Sequence, residues 1–162
     1  MIPPFESGTG KLPPGEHEAT WAEVARRFGT TAQRQQLLQG LRSALDALAR
    51  AGCRRVWLNG SFVTAKETPQ DFDLCWDRSG VEAHLLDPVL LDLSNKRAGQ
   101  HATFGGAVWP ADFVVESGNT ILTDFQRDYK NNDRPKGIVV IDPTSASEEQ
   151  RTSRTTEGRD PQ

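Results

Sequence analysis

The stretch Val56-Trp57-Leu58-Asn59-Gly60-Ser61 and, nine residues on, Asp71-Phe72-Asp73-Leu74-Cys75-Trp76 carries the most information in the chain. The apolar and aromatic residues predict a strand that ends at Asn59, a turn at Gly60-Ser61 and a second strand over 72–76. Glycine permits a tight turn and a close approach of the backbone to a ligand. The amides exposed there, with the Ser61 hydroxyl, can hold phosphate oxygens. Asp71 and Asp73 are two apart on a strand, so they point to one face with Cα atoms about 6–7 Å apart. Two carboxylates at that spacing can hold hard divalent cations, and two-metal phosphoryl-transfer sites place their ions about 3.5–4 Å apart. With no ligand to hold, the same residues read as a plain turn and a solvated strand edge.

Working outward, residues 1–15 carry Pro3-Pro4 and Pro13-Pro14 and are expected to form an extended arm, with Ile2, Phe5 and Leu12 as anchors. Thr20 and Glu23 have capping-box spacing, which predicts a short helix ended by Gly29. Leu37, Leu38, Leu41, Ala44, Leu45 and Leu48 repeat at helical spacing and predict a helix over 32–51, with Arg34, Gln35 and Arg42 on its polar side. Residues 62–71 form a link that contains Lys66. Further expectations are a helix over 81–97, a third strand over 111–116, a short helix over 121–129 and a last strand over 137–141. Residues 145–162 are Ser, Thr, Glu and Arg with little apolar content, so disorder is expected there. The reading is an α+β fold, a mixed β-sheet with helices packed against it, in one domain over 1–144.

The 162 residues carry 19 Lys and Arg against 22 Asp and Glu, a net charge of -3. That argues against whole-surface DNA binding and leaves a local basic groove open. No apolar run is long enough for a transmembrane helix and no secretory signal is evident, so the expected location is cytoplasmic with no membrane partner. Cys53 and Cys75 make neither a zinc framework nor a disulfide scaffold. His17, His84 and His101 have no metal spacing. Arg127, Lys130, Arg134 and Lys136 cluster in sequence, as a solvated face or as a contact for a polyanion.

Gly60-Ser61 followed by Asp71-Phe72-Asp73 resembles the signature of the nucleotidyltransferase superfamily, the DNA polymerase beta-like fold. More narrowly, Leu12-Pro13-Pro14-Gly15, Gly60-Ser61-Phe62-Val63-Thr64-Ala65-Lys66, Phe125-Gln126 and Lys136-Gly137-Ile138 resemble a family of small stand-alone bacterial nucleotidyltransferase-like proteins. The resemblance spans about residues 2–142. It implies a nucleotidyltransferase-like fold, an NTP donor and two Mg²⁺ ions. Asp71 and Asp73 would be the first two metal-binding carboxylates. A third usually comes from a later strand, and Asp112 is the best match, as metal ligand and general base. Glu116 is the reserve, with Asp87 and Asp92 weaker. Gly60, Ser61 and Lys66 would bind the nucleotide phosphates. The implied reaction transfers an NMP to a protein or RNA hydroxyl, within a toxin–antitoxin or defence setting. The alternative is a catalytically weak or inactive binding module of the same fold, an antitoxin or subunit with a cognate protein partner. A two-metal nuclease would leave the Gly-Ser turn unexplained.

Overall fold

In the computed structural model, which describes residues 1–147, residues 1–14 lead into β1 (Gly15–Ala19). Thr20 then starts α1 (Trp21–Phe28), its side chain accepting from the Glu23 amide at 3.2 Å as the spacing predicts. Thr31 caps α2 (Ala32–Arg50) in the same way, and Gly52, at φ 98°, lets the chain turn away past its end. The strands β2 (Val56–Asn59) and β3 (Phe72–Trp76) stand where expected, joined by a 3-10 turn over Ser61–Val63 and an irregular link.

The next segment departs from the expectation of a helix over 81–97. Asp87 precedes Pro88 and sits at ψ 127°, because a residue before proline is excluded from the helical region. Two 3-10 turns, Ala83–Leu85 and Pro88–Leu91, take the helix's place. Helix α3 (Ser94–Phe104) follows, with Asn95, Lys96 and Arg97 in the left-handed region at its start. The third strand is β4 (Gly106–Pro110), not residues 111–116. It lies at the sheet edge, where Pro110 can end it without losing an inner hydrogen bond. Phe113 and Val114 beyond it are 41 % and 60 % exposed, not sheet residues. Helix α4 (Ile121–Phe125) is shorter than expected. A small hairpin, β5 (Arg127–Asp128) and β6 (Arg134–Pro135), precedes β7 (Gly137–Ile141).

The protein is α+β, with a mixed five-stranded sheet in the order β1-β7-β2-β3-β4. β1 runs parallel to β7 and β4 parallel to β3, while β2 is antiparallel to both its neighbours. Alternation splits the core between the two faces. Val56, Leu58, Leu74, Trp76, Val108, Val139 and Ile141 meet the apolar stripes of α1 and α2. Trp57, Cys75, Ile138 and Val140 meet Ile121 and Phe125 of α4 on the other face.

Residues 1–14 are tied to this body. Ile2 and Leu12 are buried, Phe5 packs on Phe28, and the Pro3 carbonyl accepts from Arg27 at 3.0 Å. The expected disorder from residue 145 does not hold for 145–147. Ala146 is buried, its carbonyl accepts from Arg42 at 3.0 Å, and the Ser145 hydroxyl accepts from the Trp21 amide at 3.2 Å. The remainder of that expectation, 148–162, lies outside the described residues. Among the described residues no helix is long and apolar enough to cross a membrane.

Candidate functional site

β2 ends, and β3 and β7 begin, at one end of the sheet, because β2 is antiparallel to both. A cleft of about 720 Å³ opens there, floored by Asn59, Gly60, Ser61, Asp71 and Asp73. Its walls come from parts of the chain distant in sequence: Thr9 to Leu12 from the N-terminal segment, Lys66 from the link, and Arg127 to Lys130, with Lys136, from the hairpin region. Its volume is in the range of small-ligand sites. Five cationic side chains, Lys11, Lys66, Arg127, Lys130 and Lys136, line it against three carboxylates, Asp71, Asp73 and Asp128. A concave surface with that balance draws anions although the whole chain is acidic.

At the floor, Gly60 has φ 85°, and a Cβ there would lie 2.6 Å from Asp73 Oδ2. The position needs glycine twice over, for its backbone angle and for the carboxylate pressed against it. Asn59 pairs across the strands with Asp73. Burial pushes the Asp73 carboxyl up to about 6, and the neighbouring charge of Asp71 adds to the shift. Lys136, Arg97 and His101 oppose it. Burial, more than the charge of Asp71, is what penalises the ionised form of Asp73. Lys136 is half-buried, and desolvation, helped by the charges of Lys11 and Lys130, lowers its pKa against the pull of Asp128 and Asp73.

The walls are pinned by two contacts that no sequence pattern announces. Arg34, expected on the solvated side of α2, is buried. Its guanidinium donates to the carbonyls of Phe28 and Phe62 at 3.2 and 2.7 Å and to those of Thr64 and Lys66. It has the Phe62 ring beneath it and no carboxylate partner in these bonds, and desolvation lowers its pKa. Arg34 therefore holds the link between the Gly60-Ser61 turn and the aspartates. On the opposite wall Lys11 pairs with Asp128, which also accepts from Asn131 at 2.8 Å. Those two bonds hold the Asp128 carboxyl down to about 2. The Ala65 amide donates to the Gly10 carbonyl at 2.8 Å and joins the two walls.

Of the residues singled out from the sequence, Gly60, Ser61, Lys66, Asp71 and Asp73 come together in this cleft, with Arg127, Lys130 and Lys136 around them. Arg134 lines the adjoining groove. Asp112 is not brought to the cleft. β4 runs parallel to β3, with Ala107 level with Asp73 and Pro110 level with Trp76. Asp112 lies past that far end, more than about 10 Å along the strands, where Arg78 Nε donates to its carboxylate at 3.0 Å. The expectation failed because residues 111–116 are not the strand, so alternation could not aim Asp112. Glu116 is exposed and does not line the cleft, and Asp87 and Asp92 cap local turns through Val89 and Ser94. Among the described residues no group of three or more His, Cys, Asp or Glu side chains gathers to hold a metal ion. Asp71 and Asp73 are the two carboxylates at the floor of the cleft that could take part in holding a cation.

Residues 3–142 match a family described as a family of unknown function, DUF6932, and the chain belongs to it. No curated protein matches the chain. No solved structure matches it either.

Proposed function

We propose that the cleft binds a nucleoside triphosphate with one divalent cation, and that the protein is a small nucleotidyltransferase-like enzyme in which a protein or RNA hydroxyl attacks the α-phosphorus, takes the NMP and releases pyrophosphate. The observation that carries this reading is the placement of Gly60 against Asp73, which sets a phosphate-type turn against a buried carboxylate in a cleft lined by five cationic side chains. In this reading the Ser61 hydroxyl and nearby amides take phosphate oxygens. Lys136 faces the donor just before β7, and Lys66, Arg127 and Lys130 are the further cations available to its phosphates. Asp71 and Asp73 would hold Mg²⁺, which when bound neutralises the donor phosphates and makes the α-phosphorus a better electrophile. Fixed charges aimed at developing charge are usually the largest catalytic contribution. The superfamily likeness supports the reading through Gly60-Ser61 and Asp71-Phe72-Asp73.

A second reading is favoured by one observation. Asp112 is at the far end of the sheet, and Ala107 stands beside Asp73 on the neighbouring strand. The third carboxylate of the cleft, Asp128, is tied to Lys11 and held down to about 2, which makes it a poor base for the acceptor hydroxyl. That favours a nucleotide-binding module with weak or no catalysis, serving as an antitoxin or partner subunit.

The test is transfer of label from α-³²P NTPs to macromolecules in host lysate with Mg²⁺, using wild type and Asp73→Asn. The enzyme reading expects a labelled protein or RNA band with wild type and a loss of at least about 100-fold with the variant. Binding of nucleotide without any labelled product selects the module.

A further inference from the structure

We infer that Tyr129 is the platform on which the nucleobase of the bound nucleotide stacks, a role that rests on the nucleotide reading above. Every other aromatic ring lies outside the cleft lining, and Tyr129, the chain's only tyrosine, is in it. Trp57 and Trp76 are buried in the core, and Trp109 is covered by Arg97, 4.5 Å from its centroid, and by Phe125. Tyr129 is 57 % exposed, so its ring has a free surface.

The backbone that leads into the ring is fixed. The preceding residue, Asp128, is fixed by Lys11 and Asn131 and pairs with Arg134 across the small hairpin. At the tip of the ring, Asp124 lies beside the hydroxyl and pushes the phenol up to about 12, so the ring is neutral at any working pH. A tyrosine ring, with two side-chain torsions, offers a flat apolar face at low conformational-entropy cost. Its neighbours in the lining, Arg127 and Lys130, are suited to phosphate, and Lys136 stands between this wall and Asp73. The cleft thus combines a carboxylate pair, cationic side chains and one exposed aromatic ring, the groups that a metal-bound triphosphate and a planar base call for. Stacking on a ring face does not read hydrogen-bond edges, so the platform implies tolerance among bases with a preference for purines, which overlap the ring more fully.

Calorimetric titration of wild type, Tyr129→Ala and Tyr129→Phe with Mg-ATP and with Mg-tripolyphosphate tests this. The exposure of Tyr129 means that the variants should melt as wild type does. The expected result is that Tyr129→Ala weakens ATP binding about 5- to 100-fold, leaves tripolyphosphate affinity unchanged, and that Tyr129→Phe keeps the ATP affinity. Equal ATP affinity in wild type and Tyr129→Ala overturns the platform and leaves the nucleotide reading standing. So does an equal loss of ATP and tripolyphosphate, which would make Tyr129 a wall of the phosphate site. Binding of neither compound by wild type overturns both.

Discussion

Asp73 concentrates the chemistry of the cleft in one side chain. Its folded pKa of about 6 lies above the ordinary 3.8 because burial and Asp71 penalise its charged form. The native state therefore holds this proton more tightly than the unfolded chain does. Below the ordinary value both states are protonated and Asp73 costs nothing. As pH rises towards 6 the native state loses stability, by up to about 3 kcal/mol at 1.36 kcal/mol per unit, and above 6 the cost is complete. Asp73→Asn removes it. In EDTA the variant should be the more stable protein at pH 7.5, by about 1–3 kcal/mol, and the difference should close towards pH 4. Chemical denaturation at both pH values checks this. A difference that does not change with pH would mean that Asp73 is not held above its ordinary range.

Arg34 ties an element to the site: it binds three carbonyls of the link over 62–71 from α2, and its neighbour Gln33 donates to a fourth, that of Pro69. Replacing it with Met leaves four carbonyls without their donor, and buried acceptors left unpaired cost about 1–3 kcal/mol each, softened where water enters. Arg34→Met should lower the melting temperature by about 5–15 °C and speed hydrogen exchange at Val63, Thr64 and Lys66. Arg34→Lys should fall between, since one ammonium cannot span the same carbonyls. Unchanged melting and exchange in Arg34→Met would show that the link is held by other contacts. The same residue marks a limit of sequence reading. A helical pattern sorts Arg to the wet side, and only the fold reveals carbonyls converging on it. Elements with strong local signals were legible: the Thr20 cap, the leucine stripe of α2, and the strands β2, β3 and β7. β1 was not, because Gly15-Glu16-His17-Glu18-Ala19 lacks strand-forming side chains and is a strand only through its pairing with β7. β4 was hidden behind Gly105-Gly106 and Pro110, and with it went the aim of Asp112. That Gly60, Ser61, Asp71 and Asp73 share one cleft was legible because they flank the facing ends of two adjacent strands, β2 and β3. Lys11 and Asp128, 117 residues apart, have no local signal at all.

At the scale of the whole molecule, the sheet topology does the gathering. Because β2 is antiparallel to β3 and β7, the end of one strand and the starts of two others meet at one edge. The N-terminal segment then reaches that edge through β1 beside β7, which sets Lys11 on Asp128. An acidic chain thereby builds a cationic cleft over two carboxylates. The proposed activity depends on that cleft taking nucleotide phosphates through a cation at Asp71 and Asp73. Isothermal titration with ATP, GTP, CTP and UTP, with and without Mg²⁺, on wild type and Asp73→Asn measures this dependence directly. The account predicts binding of at least one NTP by wild type that needs Mg²⁺ and weakens at least about 10-fold in Asp73→Asn. Binding that is indifferent to Mg²⁺ and to Asp73, or no binding of any NTP by wild type, would contradict it.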